Sequence, residues 1–292
     1  MPSLKEVKTK IEGVKKTAQI TKAMNMVASA KLRGAQEKME AFRPYTAKFN
    51  EAMSNLSGRS NTGGSFPLME KREVKSVELI VVTSDRGLCG SFNSNIVKLA
   101  ERKMREYEAE GKTVSFVCVG KKGFQILKRT GKVRKTYGDI MASFQMFNAR
   151  EIATEISQSF LDGGADKVEL LYGEFLSVAR QVPASKEFLP VQPIEEEGAE
   201  EAAPEMSGEY IYEPSVEEIM DVLQPLYLNV MVYHAMLEVG ASEHAARMTA
   251  MDNATNACKD IVENLTILYN KARQAAITAE LMDIVGGAEA LK

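Results

Sequence analysis

ITKAMNMVASAKL (residues 20–32) reads as helix, but it is apolar on too many sides for an ordinary surface helix. Ile20, Met24 and Val27 form one stripe, at spacings of four and three. Thr21, Asn25, Ala28 and Leu32 form another. A helix that is sticky on two faces has two things to bury them in.

Outward from that stretch the same spacing persists. Alternate steps of three and four from Leu4 reach Val7, Ile11, Val14, Ala18, Thr21, Asn25, Ala28, Leu32, Ala35, Met39 and Phe42. Ten of these twelve positions are apolar, so the repeat spans the whole segment. No proline interrupts Ser3 to Arg43, about 60 Å of helix at ~1.5 Å per residue. Ser3 and Glu6 are spaced as a capping box, and Pro44 is expected to kink or end the helix. At the other end of the chain, helix is expected from Pro225 to about Val285. There the repeat reads Met251, Ala254, Cys258, Ile261, Leu265, Leu268, Ala272, Ala275, Ala279 and Met282, all apolar or small. A 3-4 repeat held this long specifies a left-handed coiled coil. With a compact segment between the two ends, the natural pairing is antiparallel and intramolecular.

Ile20, Met24 and Val27 lie off that seam and are expected to be exposed in an isolated pair. Either a third helix of the chain or a partner covers them. From Lys5 to Lys38 there are nine Lys/Arg against three Glu, a local net of +6 that suits an acidic partner surface.

The middle of the chain has a different period. VELIVVTSD (77–85), TVSFVCVG (113–120) and KVELLYGEF (167–175) are short, apolar and rich in β-branched residues. Helical patterns at 93–110, 121–129 and 149–161 alternate with them, which indicates a mainly parallel α/β sheet. GRSNTGG (58–64) reads as a loop. Pro193 to Tyr210 is acidic and low in complexity, with seven Glu and no Lys or Arg, and reads as a solvated flexible loop. The expected plan is a long antiparallel coiled coil of N- and C-terminal helices with an inserted Rossmann-like α/β domain. Its parts are an N-terminal helix (1–57), the α/β domain (75–193), the acidic loop (194–210) and a C-terminal helix (211–292).

Composition narrows the function. A net charge of −3 over 292 residues gives no global nucleic-acid signature, and no stacking aromatics interleave with the lysines. Cys89, Cys118 and Cys258 are scattered, which fits a reducing compartment rather than a disulfide framework. The first residues lack an apolar signal-peptide core, and no stretch approaches ~20 uninterrupted apolar residues.

Candidate chemistry is sparse. TSDRGLCGSFN (83–93) follows a strand and opens a helix, and Gly87 and Gly90 invite a phosphate-loop reading. It matches neither glycine-rich nucleotide motif, has no lysine at the helix start, and carries Asp85, which repels phosphate. A structural turn fits better. Cys89 has no histidine near it in sequence. His234 and His244 are ten apart without companions at metal-ligand spacing. No catalytic, cofactor or metal site is expected. A nucleotide-dependent enzyme and a freestanding coiled-coil scaffold or adaptor are the rival readings.

Four blocks, ITKAMNMVASAKL, SDRGLCGSFN, EHAARMTAMDNAT and YNKARQAAITAELMDIVGGA, resemble the gamma-subunit family of the F-type ATP synthase, of the bacterial type, in the right order along the whole chain. The resemblance implies a non-catalytic rotor shaft. Its paired helices enter a hexamer of alpha and beta subunits, while its α/β domain meets the epsilon subunit and the membrane ring of c subunits. It transmits torque, and regulates ATPase activity and proton flow. By the same resemblance Ile20, Lys22, Met24, Val27, Arg247, Gln274 and Thr278 contact the hexamer. Arg86, Gly87, Leu88, Cys89 and Gly90 form an assembly turn near epsilon and the c ring. No cofactor and no nucleic acid are implied. Membrane association comes through the complex only, on the cytoplasmic face of a bacterial inner membrane.

Overall fold

The computed structural model describes residues 3–57, 66–192 and 215–290. The segments expected as the loops at 58–64 and 194–210 lie outside the described residues. The chain forms two compact units, one from residues 1–30 and 247–292, the other from residues 31–246. The division falls inside both terminal helices, so the expected boundaries near 57 and 211 separate elements rather than compact units.

Helix α1 (Leu4–Ser57) starts at the expected capping box. The Ser3 amide donates to Glu6 Oε2 at 3.0 Å, and the Glu6 amide donates to Ser3 Oγ at 3.3 Å. Helix α1 does not end at Pro44, and the C-terminal helix, labelled α5 below, begins at Val216 ahead of Pro225. A proline inside a helix removes one backbone hydrogen bond and crowds the preceding turn. Packing on both sides of each proline outweighs that here. Beyond Pro44 the 3-4 repeat continues through Thr46, Phe49, Met53 and Leu56, all wholly or partly buried. The Phe42 ring lies 5.0 Å from Tyr233, edge to face. Around Pro225, Gln224, Tyr227 and Leu228 are buried.

In the larger unit the elements between the long helices are β1 (Ser76–Val82), α2 (Phe92–Ala109), β2 (Thr113–Val119), α3 (Lys121–Leu127), β3 (Val133–Tyr137), α4 (Met146–Leu161), β4 (Lys167–Ser177) and β5 (Arg180–Leu189). The five strands form one sheet in the order β3-β2-β1-β4-β5. All neighbours are parallel except β4 and β5. Central β1 is buried along almost its whole length, as its continuous apolar run requires. Phe116, Phe160, Tyr172 and Phe188 are fully buried around it. Each of the three Phe side chains contributes about 1.5–3 kcal/mol.

The two strands that the sequence does not announce are the edges. β3 reads VRKTY and is mostly exposed. Its Arg134 is drawn inward: Nε donates to Glu78 Oε1 of β1 at 2.6 Å, and Nη1 donates to Glu155 Oε1 of α4 at 2.5 Å. β5 carries Pro183, which an edge strand tolerates because one side of its backbone needs no ladder partner.

Candidate functional surfaces

The smaller unit is built by the seam. Thr21 Oγ1 and Thr255 Oγ1 are 2.7 Å apart, and Asn25 Nδ2 donates to the Met248 carbonyl at 2.8 Å. Ascending numbers on α1 meet descending numbers on α5 (Val216–Ala290), so the pairing is antiparallel. All twelve predicted seam positions of α1 are buried or partly buried.

On α5 the predicted phase is half right. Met251, Ala254, Cys258, Leu265 and Ala272 face inward, but Ile261, Leu268 and Ala275 are exposed, as are Ala279 and Met282. Val262, Tyr269 and Ala276 take the inward places. Both stripes are apolar, so counting from Met251 could follow either one. The Thr21–Thr255 bond fixes the phase: steps of three and four from Thr255 reach Cys258, Val262, Leu265, Tyr269, Ala272 and Ala276. With equal rise per residue, that bond sets Leu4 opposite about residue 272. The α5 residues beyond have no α1 to cover them, and Ile277, Leu281, Met282, Ile284 and Val285 are all exposed.

Facing away from the seam on α1, Ile20 is 61% and Val27 57% exposed, with Met26 beside them also exposed. Lys22 is exposed. Met24 is not fully outward as expected but half-buried, because it stands three residues after Thr21 and four before Ala28 and so flanks the seam. Gln274 and Thr278 are exposed, and the Thr278 hydroxyl donates to the Gln274 carbonyl at 2.9 Å. Arg247, expected to face outward, is only 9% exposed. It stands four residues after the buried Glu243 and four before the buried Met251, which leaves it on the inward face of α5.

In the larger unit the turn after β1 is held by side chains. Asp85 Oδ1 accepts the amides of Lys121 and Asp139, each at 3.0 Å, and Oδ2 accepts that of Met141 at 2.9 Å. Ser84 donates its amide to Asn93 Oδ1 at 3.0 Å and its hydroxyl to the Arg86 carbonyl at 2.6 Å. Thr83 Oγ1 accepts the Gly123 amide at 2.8 Å. Gly90 sits at φ 58° and Leu88 at φ 63°. A left-handed leucine is costly, and the bonds on either side hold it there. Its side chain is 64% exposed. Cys89 is buried, and Asn93 Nδ2 donates to its Sγ at 3.1 Å. Gly87 is partly buried and Arg86 exposed.

This geometry disfavours a phosphate. Asp85 puts a carboxylate into the turn and takes the backbone N–H of Lys121 at the start of α3, while the Phe92 amide at the start of α2 donates to the Cys89 carbonyl at 3.2 Å. In doubly wound sheets ligands bind where the strand order reverses, here between the C-terminal ends of β1 and β4. That place is filled from within the chain. A Cβ on Gly173 of β4 would meet the Phe92 ring at 2.3 Å. The Ser242 hydroxyl of α5 donates to the Gly173 carbonyl at 3.2 Å. An open groove of about 860 Å³ along α4 is lined by Glu151, Glu155 and Asp162 as well as Arg134 and Arg150, a poor place for phosphate.

The remaining reactive groups are quiet. Burial pushes the Cys118 thiol up to about 12. Burial, with Lys186 and Arg43 nearby, pulls His234 down to about 4, so it is neutral at pH 7. Among the described residues no His, Cys, Asp and Glu group could hold a metal ion, and no helix is long and apolar enough to cross a membrane.

Comparison with known proteins gives a consistent answer. A family model described as ATP synthase matches residues 3–291. The ATP synthase gamma chain of Desulfotalea psychrophila is 71% identical over 293 residues, covering 100% of both chains. That of Nitratidesulfovibrio vulgaris (strain Miyazaki F) is 52% identical, again over 100% of both. A chain of the Tetrahymena thermophila mitochondrial ATP synthase central stalk and c ring is 28% identical with a TM-score of 0.60, covering 80% of this chain and 99% of that one. A chain of the Euglena gracilis mitochondrial ATP synthase, 23% identical with a TM-score of 0.67 and covering 99% of this chain and 94% of that one, shares the fold.

Proposed function

The chain belongs to the ATP synthase gamma-chain family, and from that premise we propose that it works as a shaft carrying torque between the ring of c subunits and the hexamer of alpha and beta subunits. As a gamma chain it is a non-catalytic part of the complex. By coupling the two motions it regulates both ATPase activity and proton flow. It sits on the cytoplasmic face of a bacterial inner membrane and reaches that membrane only through the complex.

One observation carries this reading. After the helix pair of the smaller unit has closed its seam, a second apolar stripe, Ile20 and Val27, remains exposed on a helix whose outward side is basic. A stable protein that works alone has no use for such a face. An acidic surface that moves past it does. Lys22 supplies attraction, and half-buried Met24 supplies a flexible contact that adapts to successive partners. Gln274 and Thr278, with the exposed apolar end of α5, extend the bearing surface. Arg247 is enclosed by its own chain and lies outside that face. On the larger unit, the turn from Arg86 to Gly90 presents Leu88 rigidly, which suits docking to the epsilon subunit and c ring.

ATP hydrolysis by purified alpha and beta subunits, with this chain and with an Ile20→Asp/Val27→Asp variant, tests the surface. The variant is expected to bind the hexamer at least about tenfold more weakly, the loss of a few buried apolar contacts. Unchanged binding removes the stripe from the interface.

A further inference from the structure

β1 accompanies β4 only as far as Leu171, whereas β5 continues beside it to Ser177. From Gly173 onward the other edge of β4 has no strand beside it among the described residues. Pro183 stands opposite Gly173 and has no N–H to give, so Gly173 turns its backbone groups away from β5. Phe175, two residues on, turns its own groups to the same side. These are buried polar groups and need partners.

Helix α5 supplies them from one turn. Glu238 Oε2 accepts the Phe175 amide at 2.7 Å, and Ser242, four residues on, donates to the Gly173 carbonyl at 3.2 Å. Glu238 and Ser242 are both buried. An acceptor and a donor on the helix thus replace the missing strand. The second Glu238 oxygen lies 3.7 Å from Arg43 of α1 and 3.5 Å from His234. Glu174 of β4 and Lys186 of β5 complete the charged groups around it. An apolar contact would tolerate sliding or rotation of the helix by a fraction of a turn. This pair does not, because a shift of one residue leaves a carboxylate, a hydroxyl and two backbone groups unsatisfied together.

We propose that Glu238 and Ser242 are positioning residues that clasp the open edge of β4 and lock α5 to the sheet in one register, so that torque entering the sheet passes into the helix without slip. This rests on the shaft reading above. Neither residue touches a reacting group; both act through the position of α5.

The test uses the complete complex in sealed vesicles, measuring ATP hydrolysis and ATP-driven proton pumping on the same sample. Amide exchange at Phe175 is measured on the full-length chain. Glu238→Ala/Ser242→Ala is expected to keep hydrolysis while pumping per ATP falls about threefold or more, and the Phe175 amide exchanges at least about tenfold faster. Glu238→Gln keeps an oxygen acceptor and should retain both wild-type values. A double variant that melts earlier but pumps with the wild-type ratio overturns the proposal, since the residues are then merely structural. If the double variant does not assemble, Ser242→Ala alone decides: a lowered ratio supports the clasp and an unchanged one overturns it. Absence of coupled pumping with the unaltered chain counts against the shaft reading instead. The clasp is then judged on exchange, where equal rates in all variants overturn it.

Discussion

Asp85 shows how a turn that resembles a phosphate loop is closed by a side chain of its own. It receives three backbone amides from the α3 and β3–α4 connections. Asp85→Ala strands all three and should destabilise the chain by about 2–4 kcal/mol in denaturant unfolding. His234 gives a pH signature. Its folded pKa, about 4, lies below its ordinary value of 6.5. The stability tied to keeping it neutral is therefore complete above 6.5 and is lost as pH falls through 4. Glu238 has the opposite sign. Burial raises its pKa above the ordinary 4.5, so its contribution is complete below 4.5 and is lost as pH rises through the folded value. The two slopes oppose each other in mild acid. His234→Asn should leave the chain less sensitive to acidification between pH 6.5 and 4, read as the shift in urea midpoint.

At the scale of elements, the test case is the phase of α5. Val262 is on the seam and Ile261 off it. Val262→Asp should cost about 2–3 kcal/mol, from burying a charge in a helix pair. Ile261→Asp should cost less than about 1 kcal/mol. Helicity during thermal unfolding distinguishes them, and equal losses would return the seam to Ile261. The same region shows what a sequence discloses. The α1 seam was legible because only one stripe there is long and uninterrupted. The α5 seam was legible as a repeat but not as a phase, because Ile261-Leu268-Ala275 and Val262-Tyr269-Ala276 are equally apolar. A single long-range pair, Thr21 with Thr255, decides between them, and local pattern does not contain it. Strands β1, β2 and β4 were legible from continuous apolar runs buried on both faces. Edge strands β3 and β5 were not, since their charged residues and Pro183 look like loop until a neighbouring strand stands beside them. The helices outlast Pro44 and Pro225 for the same reason: packing from other segments overrides a local breaker.

At the scale of the whole molecule, the chain separates gripping from bearing. The larger unit holds several polar groups in fixed partnerships: Glu78 with Arg134, Glu238 with Phe175, Asp85 with three amides. The smaller unit keeps apolar and basic residues on its outer side, where Ile20 and Val27 stay exposed among the described residues. Among the proposed contacts, Ile20, Lys22, Val27, Gln274 and Thr278 could be placed outward from sequence, whereas Met24 and Arg247 are covered because Met24 flanks the seam positions Thr21 and Ala28 and Arg247 stands one helical step before Met251. The clasp of Glu238 and Ser242 was invisible in the sequence, since its partners are backbone groups on a strand about seventy residues away. The central claim is mechanical, and rotation tests it most directly. With alpha and beta subunits fixed to a surface and a bead attached to the larger unit of this chain, ATP should drive continuous rotation in one direction with three pauses per turn, one for each beta subunit. A complex that hydrolyses ATP while the bead only diffuses would contradict the account.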